Sequence, residues 1–368
     1  MGADVAVGGA SNSSVPIRRS PTYYEIPAPP ELDWRPYRSP FYAEYRREWD
    51  RRGSEGDPGE APLHLDLDLT SRCNLRCLMC PRTWFLERGE TSWAPGGPGD
   101  MDPGLFRETA SEGARLGARS VKMNFLGEPL LHPHVVELVA YAASLGLWVM
   151  MNTNAVLLSP ALSRDLLEAG LTDVFFSFDS PYREEYERIR RGASYDRTLS
   201  NIRAFMEAKE ALGLRYVQTR ASMVLPEDPA GRGRAEVDYV RLFRDLGVAE
   251  VGFGLPTVMG RDYAPLNGGL DFVCPDLFRR VFVFHDGVAG PCCGDWERRL
   301  VVGDARKSSV SEIWKSPAYE RLRSRHLAGA FAEVPACLCC SVPYLSTAGG
   351  DGGGSRGGAG RHAAGRRP

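Results

Sequence analysis

The chain predicts an α/β fold: a parallel sheet of repeated β–α units, followed by a smaller cysteine-rich module built on a β-hairpin. Three observations predict it. Strand-like and helix-like runs alternate from residue 63 to about 254. Helical runs end at glycine three times, at Leu145-Gly146, Ala169-Gly170 and Leu246-Gly247. The nine cysteines fall into two groups, three in the run 73–80 and six between 274 and 340.

Residues 1–60 are rich in Pro, Gly, Ser and charge and read as an N-terminal extension. Within it, 42–49 suggests one short helix whose aromatics dock on the core. Residues 64–70 alternate as a strand, and the first cysteine group follows at its C-terminal end. The Gly/Pro segment 94–99 is a loop. Asp102 then opens a helix with Pro103 in its first turn. Strands are expected at 120–125, 148–152, 173–178, 216–223 and 250–254. Helices are expected at 133–145, 160–169, 198–212 and 236–246. Such alternation implies a parallel sheet with right-handed crossovers, and ligands then lie at the C-terminal ends of the strands. Four segments result: an extension over 1–60, the β–α core over 61–258, the cysteine-rich module over 259–345, and a Gly/Arg-rich disordered tail over 346–368.

The totals narrow the function classes. With 368 residues and 43% apolar content, the chain can bury a large core. A net charge of −2 gives no electrostatic footprint for nucleic acid. No run of 18 apolar residues and no signal-peptide core occurs, so no membrane span is expected. The cysteines are read as reduced metal ligands of a cytoplasmic protein rather than as disulfides.

Cys73, Cys77 and Cys80 have the spacing C-x3-C-x2-C. Soft thiolates select iron–sulfur clusters or zinc. Three of them can hold three irons of a four-iron cluster and leave the fourth open. A structural zinc site wants four ligands, and none of Asn74, Arg76 or Arg82 offers the fourth. The run resembles the signature of the radical S-adenosyl-L-methionine (SAM) superfamily, with Met79 where that family often has an aromatic residue. The resemblance implies a partial (β/α)6 barrel, a SAM-binding 4Fe-4S cluster and formation of a 5′-deoxyadenosyl radical. It also implies an electron donor such as flavodoxin or ferredoxin.

Leu126-Gly127-Glu128-Pro129 follows the second strand and resembles the family's G-G-E-P turn, with Leu126 in place of the first glycine. The resemblance implies that Gly127 and Glu128 meet the SAM amino group. Asn152 and Ser177, at the ends of the third and fourth strands, match positions that contact its ribose or carboxylate. Arg191, or its neighbour Arg190, pairs with the carboxylate. His132 and His134 flank Pro133 and are read as a loop and a helix cap.

The late cysteines are Cys274, Cys292, Cys293, Cys337, Cys339 and Cys340. Cys274, Cys292, Cys337 and Cys340 make a four-thiolate set able to saturate a second cluster, or a structural zinc. The residues at 280–285, a turn at Asp286-Gly287 and a return to Cys292 form a hairpin. This half resembles the SPASM/twitch modules of radical SAM enzymes, which carry an auxiliary 4Fe-4S cluster. Cys293 and Cys339 are left over: inert, alternative ligands to Cys292 and Cys340, or hydrogen-atom donors.

A fully ligated second cluster suggests an electron path away from a substrate radical. The resemblance extends to aminocyclitol and aminosugar dehydrogenases of antibiotic pathways. The expected function is therefore oxidation of a carbinol on a small sugar or aminocyclitol intermediate. The alternatives are epimerisation with Cys293 or Cys339 as hydrogen donor, peptide maturation, and a non-enzymatic zinc scaffold. The general base, the substrate and the oligomeric state are not legible in the sequence.

Overall fold

The structure is a computed structural model that describes residues 18–20, 23–225, 232–254, 272–338 and 340. Its strands, in chain order, are β1 (Arg18–Ser20), β2 (Tyr23–Ile26), β3 (His64–Leu67), β4 (Ser120–Lys122), β5 (Trp148–Thr153) and β6 (Leu171–Ser177). They continue with β7 (Gln218–Val224), β8 (Glu250–Gly254), β9 (Arg280–Val283), β10 (Val288–Gly290) and β11 (Gly303–Asp304). All belong to one sheet, in the order β1-β2-β8-β7-β6-β5-β4-β3-β9-β10-β11. From β3 to β8 the pairing is parallel between sequence neighbours, with helices in the connections. This is the expected β–α repeat.

Period-2 alternation sorts the side chains. Leu65, Leu67, Val121, Val149, Met151, Phe176 and Val251 are fully buried in the main core, toward the helices. The alternate positions His64, Asp66, Lys122, Asp173, Arg220 and Arg280 face the other way, into the lumen of a curved sheet. Curvature is evident because Arg220 on β7 lies within electrostatic range of Lys122 on β4, three strands away in the sheet.

The helices carry their own punctuation. Asp102 accepts from the Leu105 N–H at 3.0 Å and caps the helix Pro103–Leu116. Ser159 does the same for Pro160–Glu168 through the Leu162 N–H, at 3.2 Å. After that helix Gly170 turns the chain with φ +101°, a conformation that costs glycine nothing. Expected boundaries shift by a few residues. The second strand ends at Lys122 rather than Phe125. One physical reason is that Asn124 accepts the Asn152 N–H through its side chain, at 2.9 Å, in place of a ladder bond.

Two features go beyond the sequence reading. The N-terminal segment is part of the barrel. Its helix runs over Pro40–Glu55, longer than the expected 42–49. Arg38 forms an ion pair with Asp173 at 2.9 Å, both side chains almost fully buried. Tyr45 Oη meets Ser120 Oγ at 2.7 Å, and Trp34 Nε1 donates to Glu250 at 3.3 Å. These contacts reach β4, β6 and β8 and close the barrel floor. Second, β9 of the C-terminal module pairs in parallel with β3, so that module extends the barrel sheet instead of standing apart.

The expected hairpin is present as β9 and β10, in antiparallel register Val283↔Ala289. Beyond β11, Ser309 and Glu312 form a reciprocal capping box on the short helix Val310–Trp314, whose Trp314 is fully buried. The boundary expected near 258, the side chain of Cys339 and the tail 346–368 lie outside the described residues. No helix of the described residues is long and apolar enough to cross a membrane.

Candidate functional site

Cys73, Cys77 and Cys80 lie on the loop between β3 and the helix Pro81–Glu87, at the C-terminal end of the strands. Backbone bonds pin this loop: Arg76 N–H donates to the Arg191 carbonyl at 3.0 Å and Leu78 N–H to the Ile189 carbonyl at 2.9 Å. Each thiol is partly buried. Burial pushes the pKa of Cys77 up to about 12, and Cys73 and Cys80 feel one another's charge in the same loop. Among the described residues no three His, Cys, Asp or Glu side chains converge on a single-ion site. A cluster makes a different demand, since each thiolate binds its own iron.

Two cations face these thiols. The buried Arg82 donates to the Ser71 carbonyl at 3.0 Å and lies in electrostatic range of all three sulfurs. Arg190 contacts Cys77 Sγ at 4.0 Å and pairs with the buried Asp179 at 2.6 Å. Burial opposes the Arg190 charge, but Asp179 and Cys77 outweigh it and hold the guanidinium protonated. Three neighbouring thiolates are mutually repulsive, and two fixed cations offset that charge. The donor set therefore fits a cluster. Arg191, by contrast, is 53% exposed and pairs with Glu87 on the surface. The backbone sends its neighbour Arg190 inward instead.

The Gly127-Glu128 turn clamps the start of the cysteine loop. Glu128 N–H donates to the Arg72 carbonyl at 2.8 Å. A Cβ on Gly127 would stand 1.8 Å from the Thr70 carbonyl oxygen, so only glycine fits. Leu126, where the family's turn has glycine, packs against the Phe85–Trp93 cluster. Both Glu128 oxygens are occupied by the protein. Oε1 accepts from Thr153 Oγ1 at 2.7 Å, and Oε2 from the Asn154 N–H at 2.8 Å. Burial raises its pKa to about 6, against those hydrogen bonds. Asn154 in turn reaches Cys73 Sγ at 3.9 Å and Asn74 Oδ1 at 2.9 Å. Glu128 thus orders the strand end beside the loop. Asn152, the next-to-last residue of β5, has a buried Oδ1 with no hydrogen-bond partner, an acceptor open to a ligand. Ser177 ends the neighbouring strand β6, two residues beyond Phe175, the register partner of Asn152. His132 Nε2 bonds the Met101 carbonyl at 3.0 Å, the structural role expected of it.

In the C-terminal module Cys274 lies within electrostatic range of Cys292, Cys337 and Cys340, and Cys337 within range of Cys292 and Cys340. Burial raises the Cys274 and Cys292 thiols well above their usual value, and Cys337 to about 12. Cys293 points elsewhere. It presents open surface, yet its charged neighbours are Arg280, Asp276, Lys122 and Asp66. Both facts hold because the side chain lines the lumen.

Sequence reading missed several residues. Arg82 was legible as a cation two residues after the third cysteine. Lys122 was legible as the strand position between Ser120 and Asn124. The contact of His285 with Asp68, Nδ1 to Oδ2 at 3.5 Å, was not, because it joins residues from two modules.

Comparison with known proteins agrees with this geometry. Residues 67–227 match the model of the radical SAM superfamily. Residues 274–341 match SPASM, an iron–sulfur cluster-binding domain. The PqqA peptide cyclase of Xanthomonas campestris pv. campestris (strain B100) is 28% identical over 292 residues, covering 73% of this chain and 72% of that protein. The structure of Streptococcus suis SuiB bound to precursor peptide SuiA overlays with a TM-score of 0.53 at 13% identity. It covers 78% of this chain and 72% of that one, and shows a shared fold. BtrN in complex with AdoMet and 2-DOIA overlays at 0.48 with 17% identity, over 75% of this chain and 91% of that one. A radical SAM domain takes a 4Fe-4S cluster and SAM, and a SPASM domain takes auxiliary iron–sulfur. The chain thus carries a radical SAM domain over residues 67–227 and a SPASM iron–sulfur cluster-binding domain over residues 274–341.

Proposed function

We propose that this radical SAM enzyme oxidises a carbinol of a small polar substrate, of sugar or aminocyclitol type, inside the barrel lumen. The supporting observation is a polar lumen lying between two cysteine sets. Asp66 with Arg280, Arg220 with Glu25, and Lys122 line it. A polyhydroxylated molecule exchanges its water for such groups without losing hydrogen bonds.

In this reading Cys73, Cys77 and Cys80 hold the SAM-binding cluster, and Arg82 and Arg190 balance its thiolates. Gly127 lets backbone approach the SAM amino group. Asn152 offers its free Oδ1, Ser177 its hydroxyl, and Arg190 rather than Arg191 its charge. Cys274, Cys292, Cys337 and Cys340 hold the auxiliary cluster. When bound, these groups supply hydrogen-atom abstraction and an electron sink. A flavodoxin- or ferredoxin-type donor supplies the reducing electron. The eight described cysteines are all free, which suits a reducing, cytoplasmic setting.

Two other readings have one observation each. The curated relative named PqqA peptide cyclase favours a peptide substrate. The lumen-facing Cys293 favours epimerisation, as a hydrogen-atom donor.

Product mass separates oxidation from epimerisation. Oxidation lowers substrate mass by two hydrogens, and Cys337→Ala should keep some SAM cleavage while abolishing the ketone. An unchanged mass in ordinary water, with deuterium gained at the reacting carbon in heavy water and turnover lost in Cys293→Ala, would replace oxidation by epimerisation. A mass change confined to a peptide would redirect the substrate class.

A further inference from the structure

Lysine occurs only four times in this chain, at 122, 209, 307 and 315, in a sequence whose basic residues are otherwise arginine. Three of the four lie on helices or turns of the exterior. Lys122 is different. It sits on β4 between the inward-facing Ser120 and Asn124, in register with Asp66 on β3 and Met150 on β5. Among the described residues nothing forms a hydrogen bond or close ion pair with its ammonium.

The carboxylate nearest in register cannot serve as its counter-ion. Asp66 receives two hydrogen bonds from Arg280, one of them at 2.6 Å, and His64 lies 3.6 Å away. Across the lumen Glu25 is taken by Arg220, and Arg220 itself repels Lys122. Cys293, the remaining neighbour, forms no hydrogen bond with the ammonium among the described residues. An enclosed ammonium without a partner is costly, and an arriving anion removes that cost.

We propose that Lys122 binds an oxyanion of the substrate, a carboxylate or a phosphate, within the barrel lumen. The inference rests on the lumen being the substrate chamber, and it adds a substrate class: molecules that carry an acidic group close to the reacting carbon. Lysine suits this task as a point charge on a flexible stem, adjustable to either anion. Burial lowers the ammonium pKa and Asp66 only partly offsets this, so a bound anion also favours the charged form.

The test needs no turnover. The holoenzyme, with both clusters and either with or without SAM, is acetylated under anaerobic conditions at fixed ionic strength. Modification of each lysine is followed by peptide mass spectrometry in chloride, acetate or inorganic phosphate. Lys122 should be protected saturably, about tenfold at an anion concentration ten times its dissociation constant. Lys209, Lys307 and Lys315 should be unaffected. Protection by acetate alone assigns a carboxylate, and by phosphate alone a phosphate. Three results overturn the proposal: no protection beyond chloride, no modification of Lys122 under any condition, or full protection by SAM alone, whose own carboxylate would then be the counter-ion. None of these depends on whether turnover oxidises or epimerises the substrate.

Discussion

Asp66 on β3 is gripped by Arg280 on β9 through two hydrogen bonds, Nε to Oδ2 at 2.6 Å and Nη2 to Oδ1. The pair joins the strand that leads into the first cysteine loop to the strand that opens the second cysteine module. Burial alone would raise the Asp66 pKa. Arg280 and His64 outweigh it and hold the carboxyl well below the usual range. The contact is therefore a permanent ion pair at working pH, and it ties β3 to β9.

Breaking this pair from one side should be costly. Arg280→Met leaves a buried carboxylate without its partner and is expected to destabilise the protein by about 3–5 kcal/mol. The double change Asp66→Leu with Arg280→Met should recover much of that loss. Denaturant unfolding of the single and double variants checks it. An additive double variant would show that the two residues are not coupled.

Gly127→Ala should disrupt the first cluster site and leave the second intact. The added Cβ meets the Thr70 carbonyl, which is backbone and cannot step aside. Iron should fall by about four of eight atoms, as in the triple variant of Cys73, Cys77 and Cys80 to Ala, and SAM cleavage should stop. Iron and sulfide analysis after anaerobic reconstitution reads the result. Full iron content in Gly127→Ala would show that the turn does not support the loop.

Glu128 should act through Asn154 and Thr153 rather than by contact alone. Glu128→Ala leaves their buried donors unpaired, at a cost of about 1–3 kcal/mol, and should weaken SAM binding. Unchanged SAM affinity by titration would remove Glu128 from the site.

The same residue gives a pH signature. Its pKa is raised from 4.5 to about 6 on folding, chiefly by burial. The folded chain thus holds this proton more tightly than the unfolded chain. The stabilisation it provides is complete below about pH 4.5 and lost as pH rises through about 6, amounting to about 2 kcal/mol. The stability difference between wild type and Glu128→Leu should narrow across that window as pH rises. A difference that widens would show that the hydrogen bonds outweigh burial.

Much of the architecture was legible because it rests on local chemistry. The β–α alternation, the hairpin at Asp286-Gly287 and the caps at Asp102 and Gly170 are written in short-range patterns. So were the two cysteine sets, since thiolate spacing on a loop is itself the signal for a cluster. Long-range pairing decided the rest. That β9 would join β3, that Arg38 would close the floor on Asp173, and that Arg190 rather than Arg191 would face Cys77 depend on segments more than 100 residues apart. The same holds for Cys292 and Cys293. The sequence leaves these adjacent thiols equivalent, and the direction of one peptide sends the first toward Cys274 and the second into the lumen. Residue type and spacing determine which chemistry the chain can do; only tertiary contact determines which of two neighbouring side chains faces the site, because inward and outward differ by a single residue along an extended backbone.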